Sequence, residues 1–446
     1  MTTTYDPFHP KYLDDTDLRE ELTRVYDLCH GCRLCFKFCD SFPTMFEAID
    51  RHDDQDAAKL TRAEQDQVVD ECFNCKLCYV NCPYVPGQSE WNLDFPRLML
   101  RAKQVKHRDG GKSLRQRLTD QALGRTDLSG RLGSLAAPLA NAAMGRPGSP
   151  LRGLVEKSVG IASTRVLPPY ARQRFSTWFT KREQPVAEGE RKNRVALFPT
   201  CLVEYQDTAI GQDLVKVYER NGVACSLPEG QRCCGAPFLH QGDVEQFRNE
   251  AATNAAVLAA AIREAAAEGD DLAIVVPQPT CSYALKNDYP DYLGGADARL
   301  VAEHTYDAAE YLMKLHAAPG EGLDTTFEGD VPESVTYHAP CHLRAQNIGL
   351  KSRDLMQLTG AKVTVVAECS AVDGTWGLRE ENLEASRRIA RKMAVAIDEA
   401  GSDAVAGDCR LAATAIVGET GQLAGHPLQV VARAYGIDPE PGATSR

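Results

Sequence analysis

Along the C-terminal half of the chain, short apolar runs alternate with longer stretches of helical period. Arg194-Val-Ala-Leu-Phe198, Leu272-Ala-Ile-Val-Val276, Val335-Thr-Tyr337, Val363-Thr-Val-Val366 and Asp403-Ala-Val-Ala406 read as strands. Between them, Ile210 to Arg220, Asp243 to Glu268, Ser352 to Leu358 and Glu380 to Ala400 read as helices. Strands alternating with helices predict α/β layers on a largely parallel sheet. The order strand, cysteine, helix, cysteine, helix, strand, cysteine occurs twice, so two similar units follow one another. The N-terminal part has no such alternation. Thr61-Arg-Ala-Glu64 forms a capping box that opens a helix through Gln65, Val68 and Val69 to Cys72. From 98 to 192, apolar stretches (Leu132 to Met144, Leu154 to Ala162) are broken by Gly145-Arg-Pro-Gly-Ser-Pro150 and Pro168-Pro169, the pattern of a helical connector with turns.

The pattern predicts an α plus α/β protein in five segments. Residues 15–97 form an α-helical module, 98–192 a basic helical connector, 193–330 and 331–438 two duplicated α/β units, and 439–446 a disordered tail. A length of 446 residues with 43% hydrophobic and 25% charged content allows several packed cores and excludes global disorder. No apolar run is long enough to span a bilayer. Met1 to Pro10 lack a basic patch followed by an apolar run, so a cytoplasmic location is expected.

The net charge of −12 is unevenly spread: Arg101 to Glu183 hold 17 Lys or Arg against five Asp or Glu. That basic stretch packs between domains, meets an acidic partner, or touches anionic lipid or a quinone-bearing subunit on the inner face of a membrane. No aromatic interleaving supports nucleic-acid binding. No G-x-G-x-x-G or P-loop motif occurs, so no FAD or NAD site is expected in this chain.

Sixteen cysteines change the picture. Half fall in two runs of one spacing, C-x2-C-x2-C-x3-C: Cys29, Cys32, Cys35 and Cys39, then Cys72, Cys75, Cys78 and Cys82 followed by Pro83. In a long chain without an export signal this points to metal binding rather than to disulfides. Soft thiolates suit iron–sulfur clusters and also zinc. The doubled run resembles the two-cluster bacterial ferredoxin motif, in which the fourth cysteine of each run ligates the other cluster. The resemblance implies one [4Fe–4S] cluster on Cys29, Cys32, Cys35 and Cys82, and another on Cys72, Cys75, Cys78 and Cys39. Asp40 departs from it, standing where proline usually follows the fourth cysteine. The helical spacer of 32 residues makes the module similar to the α-helical ferredoxin of fumarate reductase-type iron–sulfur subunits.

The C-terminal units carry Cys201, Cys233-Cys234-Gly235 and Pro279-Thr-Cys281, then His338-Ala-Pro-Cys341-His-Leu-Arg344, Cys369 and Cys409. These resemble the paired cysteine-rich CCG domains found in the B and D subunits of heterodisulfide reductase and in the C subunit of anaerobic glycerol-3-phosphate dehydrogenase. Cysteines at the carboxyl ends of parallel strands would meet where open α/β sheets bind ligands. The full family pattern ends each unit with C-x-x-C, whereas Ala284 and Ala412 stand at the second positions here, and Cys369-Ser370-Ala371 replaces the CCG tripeptide. Unit one therefore offers Cys201, Cys233, Cys234 and Cys281 to an iron–sulfur cluster or zinc. Unit two offers Cys341, Cys369 and Cys409, with His338 or His342 as a fourth ligand, or binds nothing. Cys225 lies outside the pattern and reads as structural. His342 and Arg344 either orient an anionic group or bond to local backbone, and Glu368 and Asp373 flank Cys369.

The resemblance implies an electron-transfer subunit relaying single electrons between a flavin dehydrogenase and an acceptor, with a rubrerythrin-type peroxidase as another conceivable partner. A disulfide reductase acting at the CCG site is the alternative, and a zinc-stabilised scaffold without redox chemistry a third reading. No catalytic residue is assigned.

Overall fold

The computed structural model describes residues 5–183, 193–318 and 322–439. Residues 440–446, most of the expected tail, lie outside them.

The N-terminal module is helical. Its long helix, Asp15–Cys32, is capped by the Asp14 carboxylate. The capping box at Thr61 is formed with both of its bonds and opens the helix Arg62–Glu71. Leu18, Leu22, Met45, Ile49, Val68 and Leu98 build a single apolar cluster against which several of the cysteines pack. The helix Phe95–Arg108 runs through residue 97 without a break, and its Met99, Ala102 and Val105 join the same cluster. The connector continues as Leu114–Gly124, Thr126–Leu135, Ala137–Met144, Pro150–Val159 and Phe175–Lys181. It is packed in part. The Arg152 guanidinium is buried on the carbonyls of Met144, Ala162 and Arg165, and Arg379 of unit two pairs with Asp120.

The C-terminal half holds two four-stranded parallel sheets of one topology. The first comprises β1 (Asn193–Leu197), β2 (Val223–Ser226), β3 (Leu272–Val276) and β4 (Thr305–Asp307), in the order β2-β1-β3-β4. The second comprises β5 (Ser334–His338), β6 (Lys362–Val366), β7 (Ala404–Gly407) and β8 (Ala424–Gly425), in the order β6-β5-β7-β8. All pairings are parallel. The predicted strands are the central ones together with β6. The pattern missed the short strands β2, β4 and β8, where there are too few residues for an apolar run to show. The predicted helix from Glu380 begins as a 3-10 turn, Glu380–Asn382, and becomes α-helical over Leu383–Ala400.

The two units share a core. Leu428, Val431 and Ala432 of the last helix, Pro427–Ala434, pack with Leu214, Val215 and Tyr218 of unit one. The strand order reverses between β1 and β3 and between β5 and β7, and at such switch points the connections part and leave a crevice beyond the strand ends. The segments leaving β1, β3, β5 and β7 carry Cys201, Cys281, Cys341 and Cys409.

Candidate functional site: thiols gathered between the ferredoxin-like module and the duplicated units

The helix Asp15–Cys32 ends where Arg33 turns left-handed (φ 52°) and donates its N–H to the Cys29 carbonyl at 2.8 Å. In the second run Asn74 (φ 55°) and Lys76 (φ 63°) are left-handed as well. These non-glycine left-handed residues cost about 1 kcal/mol each, and they turn the chain within the two-residue gaps between cysteines. Burial pushes the Cys29 thiol well up, and the neighbours that push it further are Cys35, Cys82 and Cys32. For Cys78, burial is followed by Cys75, Cys72 and Cys39 and last by Cys35, and for Cys39 by Cys72 and Cys75. The thiols thus fall into one group of Cys29, Cys32, Cys35 and Cys82 and another of Cys39, Cys72, Cys75 and Cys78. Cys35, itself pushed up to about 12, senses both groups through Cys75. Thiols that resist ionisation by burial and mutual repulsion are stabilised as thiolates only by a cationic centre, so this donor set fits a metal cluster.

The two groups differ in access. Cys32 is exposed and Cys29, Cys35 and Cys82 are half-buried, whereas Cys39, Cys72, Cys75 and Cys78 are buried. Two cations accompany the buried group. Lys103 donates to the Cys72 carbonyl at 2.5 Å. The Lys76 ammonium, 5% exposed, has no hydrogen-bond partner and lies over the Tyr283 ring at 4.4 Å. Sequence spacing gave no sign of Lys103, which lies on a distant helix.

In unit one, the free thiols of Cys201, Cys233, Cys234 and Cys281 are mutual neighbours along a line and border one cavity. The flanking Cys201 and Cys234 hold Cys233 well below its ordinary value. The Cys233 N–H donates to Asp127 of the connector at 2.8 Å. Gly235 takes φ 82°, and a Cβ there would meet Phe247 at 2.8 Å, so the turn of the CCG tripeptide admits only glycine without strain. Above these thiols opens a largely apolar cavity of about 400 Å³, walled by Leu123, Met144, Val159, Ile161, Leu167 and Tyr170 of the connector. The connector therefore encloses the unit-one site, which its composition did not reveal.

Unit two is arranged differently. Cys341 and Cys369 lie with sulfurs 3.8 Å apart. Cys409 borders the same small cavity as Cys341, Cys369 and Cys75, and it also borders the larger cavity of the unit-one thiols. Of the two candidate histidines, His342 is engaged at both ring nitrogens, whereas the buried His338 Nδ1 has no hydrogen-bond partner. His342 donates from Nε2 to the Asn74 carbonyl at 3.0 Å and accepts at Nδ1 from Thr280 at 2.9 Å. His338 donates from Nε2 to the Glu368 carbonyl at 3.1 Å. Burial pushes His338 down to about 4 and His342 to about 3, so both are neutral at pH 7. Arg344 bonds to the Ala367 carbonyl, and Asp373 sits between His240 (3.4 Å) and His342 (3.8 Å). Glu368 is exposed, and Cys225 lies within β2, away from the other thiols. Among the described residues no three His, Cys, Asp or Glu side chains converge closely enough to hold a metal ion as they stand.

Comparison with known proteins agrees with this layout. The family described as a 4Fe-4S dicluster domain matches residues 21–106, and the cysteine-rich CCG domain matches residues 195–286 and 335–412. The C subunit of anaerobic glycerol-3-phosphate dehydrogenase of Escherichia coli is 30% identical over 322 residues, 72% of this chain and 78% of that protein. The B subunit of fumarate reductase (CoM/CoB) of Methanothermobacter marburgensis is 28% identical over 222 residues, 49% of this chain and 40% of that protein. Lactate utilization protein A of Geobacillus kaustophilus is 28% identical over 228 residues, 48% of this chain and 87% of that protein. With its ferredoxin-type cysteine runs and paired CCG units, the chain belongs to the family of the anaerobic glycerol-3-phosphate dehydrogenase C subunit and is an iron–sulfur electron-transfer subunit of an oxidoreductase.

Proposed function

We propose that this subunit takes single electrons from a flavin dehydrogenase at the Cys29, Cys32, Cys35 and Cys82 group. It passes them inward by the Cys39, Cys72, Cys75 and Cys78 group to an acceptor at the unit-one thiols. When bound, [4Fe–4S] clusters supply one-electron carriers. The observation that carries this reading is the gradient of access. A thiol group with exposed Cys32 and three half-buried members, its run carrying exposed Leu34 and Phe36, leads to a buried group, and that group adjoins the duplicated units. The chain's own residues do the rest: left-handed Arg33, Asn74 and Lys76 turn the chain between the cysteines, and Lys76 and Lys103 favour added negative charge on the buried side. Anaerobically purified protein is expected to hold about eight irons with matching sulfide in two cubes, or about twelve if unit one carries a cluster as well. Zinc without iron or sulfide would sink the reading.

The connector supports a location for this relay. Leu114, Leu118, Leu128, Leu132, Leu135, Leu139, Leu151 and Leu154 are all exposed, with Leu135 86% and Leu139 76% accessible. Arg117, Arg125, Arg131, Arg146 and Lys157 lie among them in the chain. Leucines with interspersed cations suit the surface of an anionic bilayer. No helix among the described residues is long and apolar enough to cross a membrane. The protein is expected to co-sediment with phosphatidylglycerol vesicles and not with phosphatidylcholine. Replacing Leu132, Leu135 and Leu139 with serine should weaken binding by about tenfold per leucine inserted. Equal recovery with both lipids would remove the membrane from the proposal.

A further inference from the structure

The two cysteine runs carry a cation at the same position, Cys32-Arg33-Leu34-Cys35 and Cys75-Lys76-Leu77-Cys78, and both cations are left-handed, at φ 52° and 63°. Their surroundings are opposite. The Arg33 side chain is 45% exposed and pairs with Asp50 at 2.5 Å, so its charge is neutralised and screened by water. Lys76 is 5% exposed, and its ammonium has no hydrogen-bond partner. The carboxylates that sense its charge, Asp94 and Asp373, lie beyond ion-pair distance. Burying an unpaired ammonium is costly, and a negative centre close by offsets that cost. The Cys72 sulfur of the buried group feels the Lys76 charge.

Lys76 is held from outside its own module. It lies over the ring of Tyr283, the last residue of the unit-one helix Pro279–Tyr283 that carries Cys281. The Tyr283 ring packs on the imidazole of His342 of unit two, with centres 5.7 Å apart. His342 in turn bonds to Thr280 and to the Asn74 carbonyl. The second run and both units thus close over one ammonium.

We infer that Lys76, held in place by Tyr283, is the countercharge that sets the buried thiol group above the exposed one in reduction potential and so gives the relay its inward direction. The inference rests on the relay proposed above. Reduction of the buried group adds one negative charge and breaks no bond, the electron coming from the exposed group. Burial alone works the other way: a site out of water disfavours added negative charge, and electrons would stop at the exposed group. An unpaired cation in that low dielectric acts more strongly on its group than the paired, hydrated Arg33 acts on the other. Lys103, bonded to the Cys72 carbonyl, adds to Lys76, while Asp94 and Asp373 subtract from it.

The test is an anaerobic redox titration of the intact protein followed by electron paramagnetic resonance, with iron counted in the same samples. The centre reduced first should be the one that a soluble dysprosium complex relaxes less, as a buried centre requires. In Lys76→Met the reduced-to-oxidised ratio of that centre at the parent midpoint should fall about tenfold, a shift of about 59 mV to lower potential, with the other centre unchanged. Lys76→Arg should keep the parent midpoint, and Tyr283→Leu should lower it by less than Lys76→Met does. An unchanged midpoint in Lys76→Met would overturn the inference. So would an equal shift of both centres, an equal shift in Lys76→Arg, or first reduction of the more accessible centre. Loss of iron in Lys76→Met would make the residue part of the holding of the group rather than of its potential, and would overturn the inference as well. An unchanged Tyr283→Leu would remove Tyr283 from it. A parent protein without iron would instead mark failure of the underlying relay reading, a separate readout of the same samples.

Discussion

At the scale of single residues, burial decides which groups carry charge. His338 is 1% exposed, with Nε2 donating to a backbone carbonyl, and its pKa is pushed down to about 4 from an ordinary 6.5. The unfolded chain therefore takes up this proton first as pH falls. Between about pH 6.5 and 4 the unfolded state holds more protons than the folded state, so stability declines across that window, and above 6.5 the residue adds no slope. Denaturant midpoints at pH 7.5, 5.5 and 4.5 should fall more steeply in the parent than in His338→Gln. Parallel slopes would mean that His338 is not held neutral.

At the scale of elements, the two units preserve one turn with different residues. Gly235 stands at φ 82° in Cys233-Cys234-Gly235, and Ala371 stands at φ 52° in Cys369-Ser370-Ala371. A left-handed position is thus held by glycine in one unit and by alanine in the other. A left-handed alanine costs about 1–2 kcal/mol, partly offset by glycine's greater freedom when unfolded. Ala371→Gly is therefore expected to raise stability by about 1 kcal/mol, read as a higher urea midpoint at unchanged slope. Destabilisation would show that the alanine methyl, 1% exposed, contributes more by packing than it costs in strain.

For the whole molecule, the question is what joins the ferredoxin-like module to the duplicated units. Trp376 of unit two packs on Phe73 with ring centres 5.1 Å apart and donates its indole N–H to the Asp70 carbonyl at 3.0 Å. It belongs to the apolar cluster of the N-terminal module rather than to a cluster of its own unit. His342 adds a bond to the Asn74 carbonyl. Trp376→Ala should remove about 3–5 kcal/mol of packing at this seam. Thermal unfolding followed by visible absorbance and by far-ultraviolet dichroism should then separate into two transitions. Coincident transitions at the parent temperature would place the joint elsewhere.

The cysteine runs, the strand–helix alternation and the duplication were legible in the sequence because each is a local property: spacing, apolar period and repeated order. From these follow the ferredoxin-type module, the parallel sheets and the cysteines just beyond β1, β3, β5 and β7. Tertiary structure decided what depends on residues far apart in the chain. It placed Cys409 beside Cys281, set Cys341 against Cys75, brought Lys103 to Cys72 and laid the connector over the unit-one thiols. The last helix crosses to the core of unit one for the same reason: its apolar face is written in the sequence, but the surface that receives it exists only once the sheets have packed.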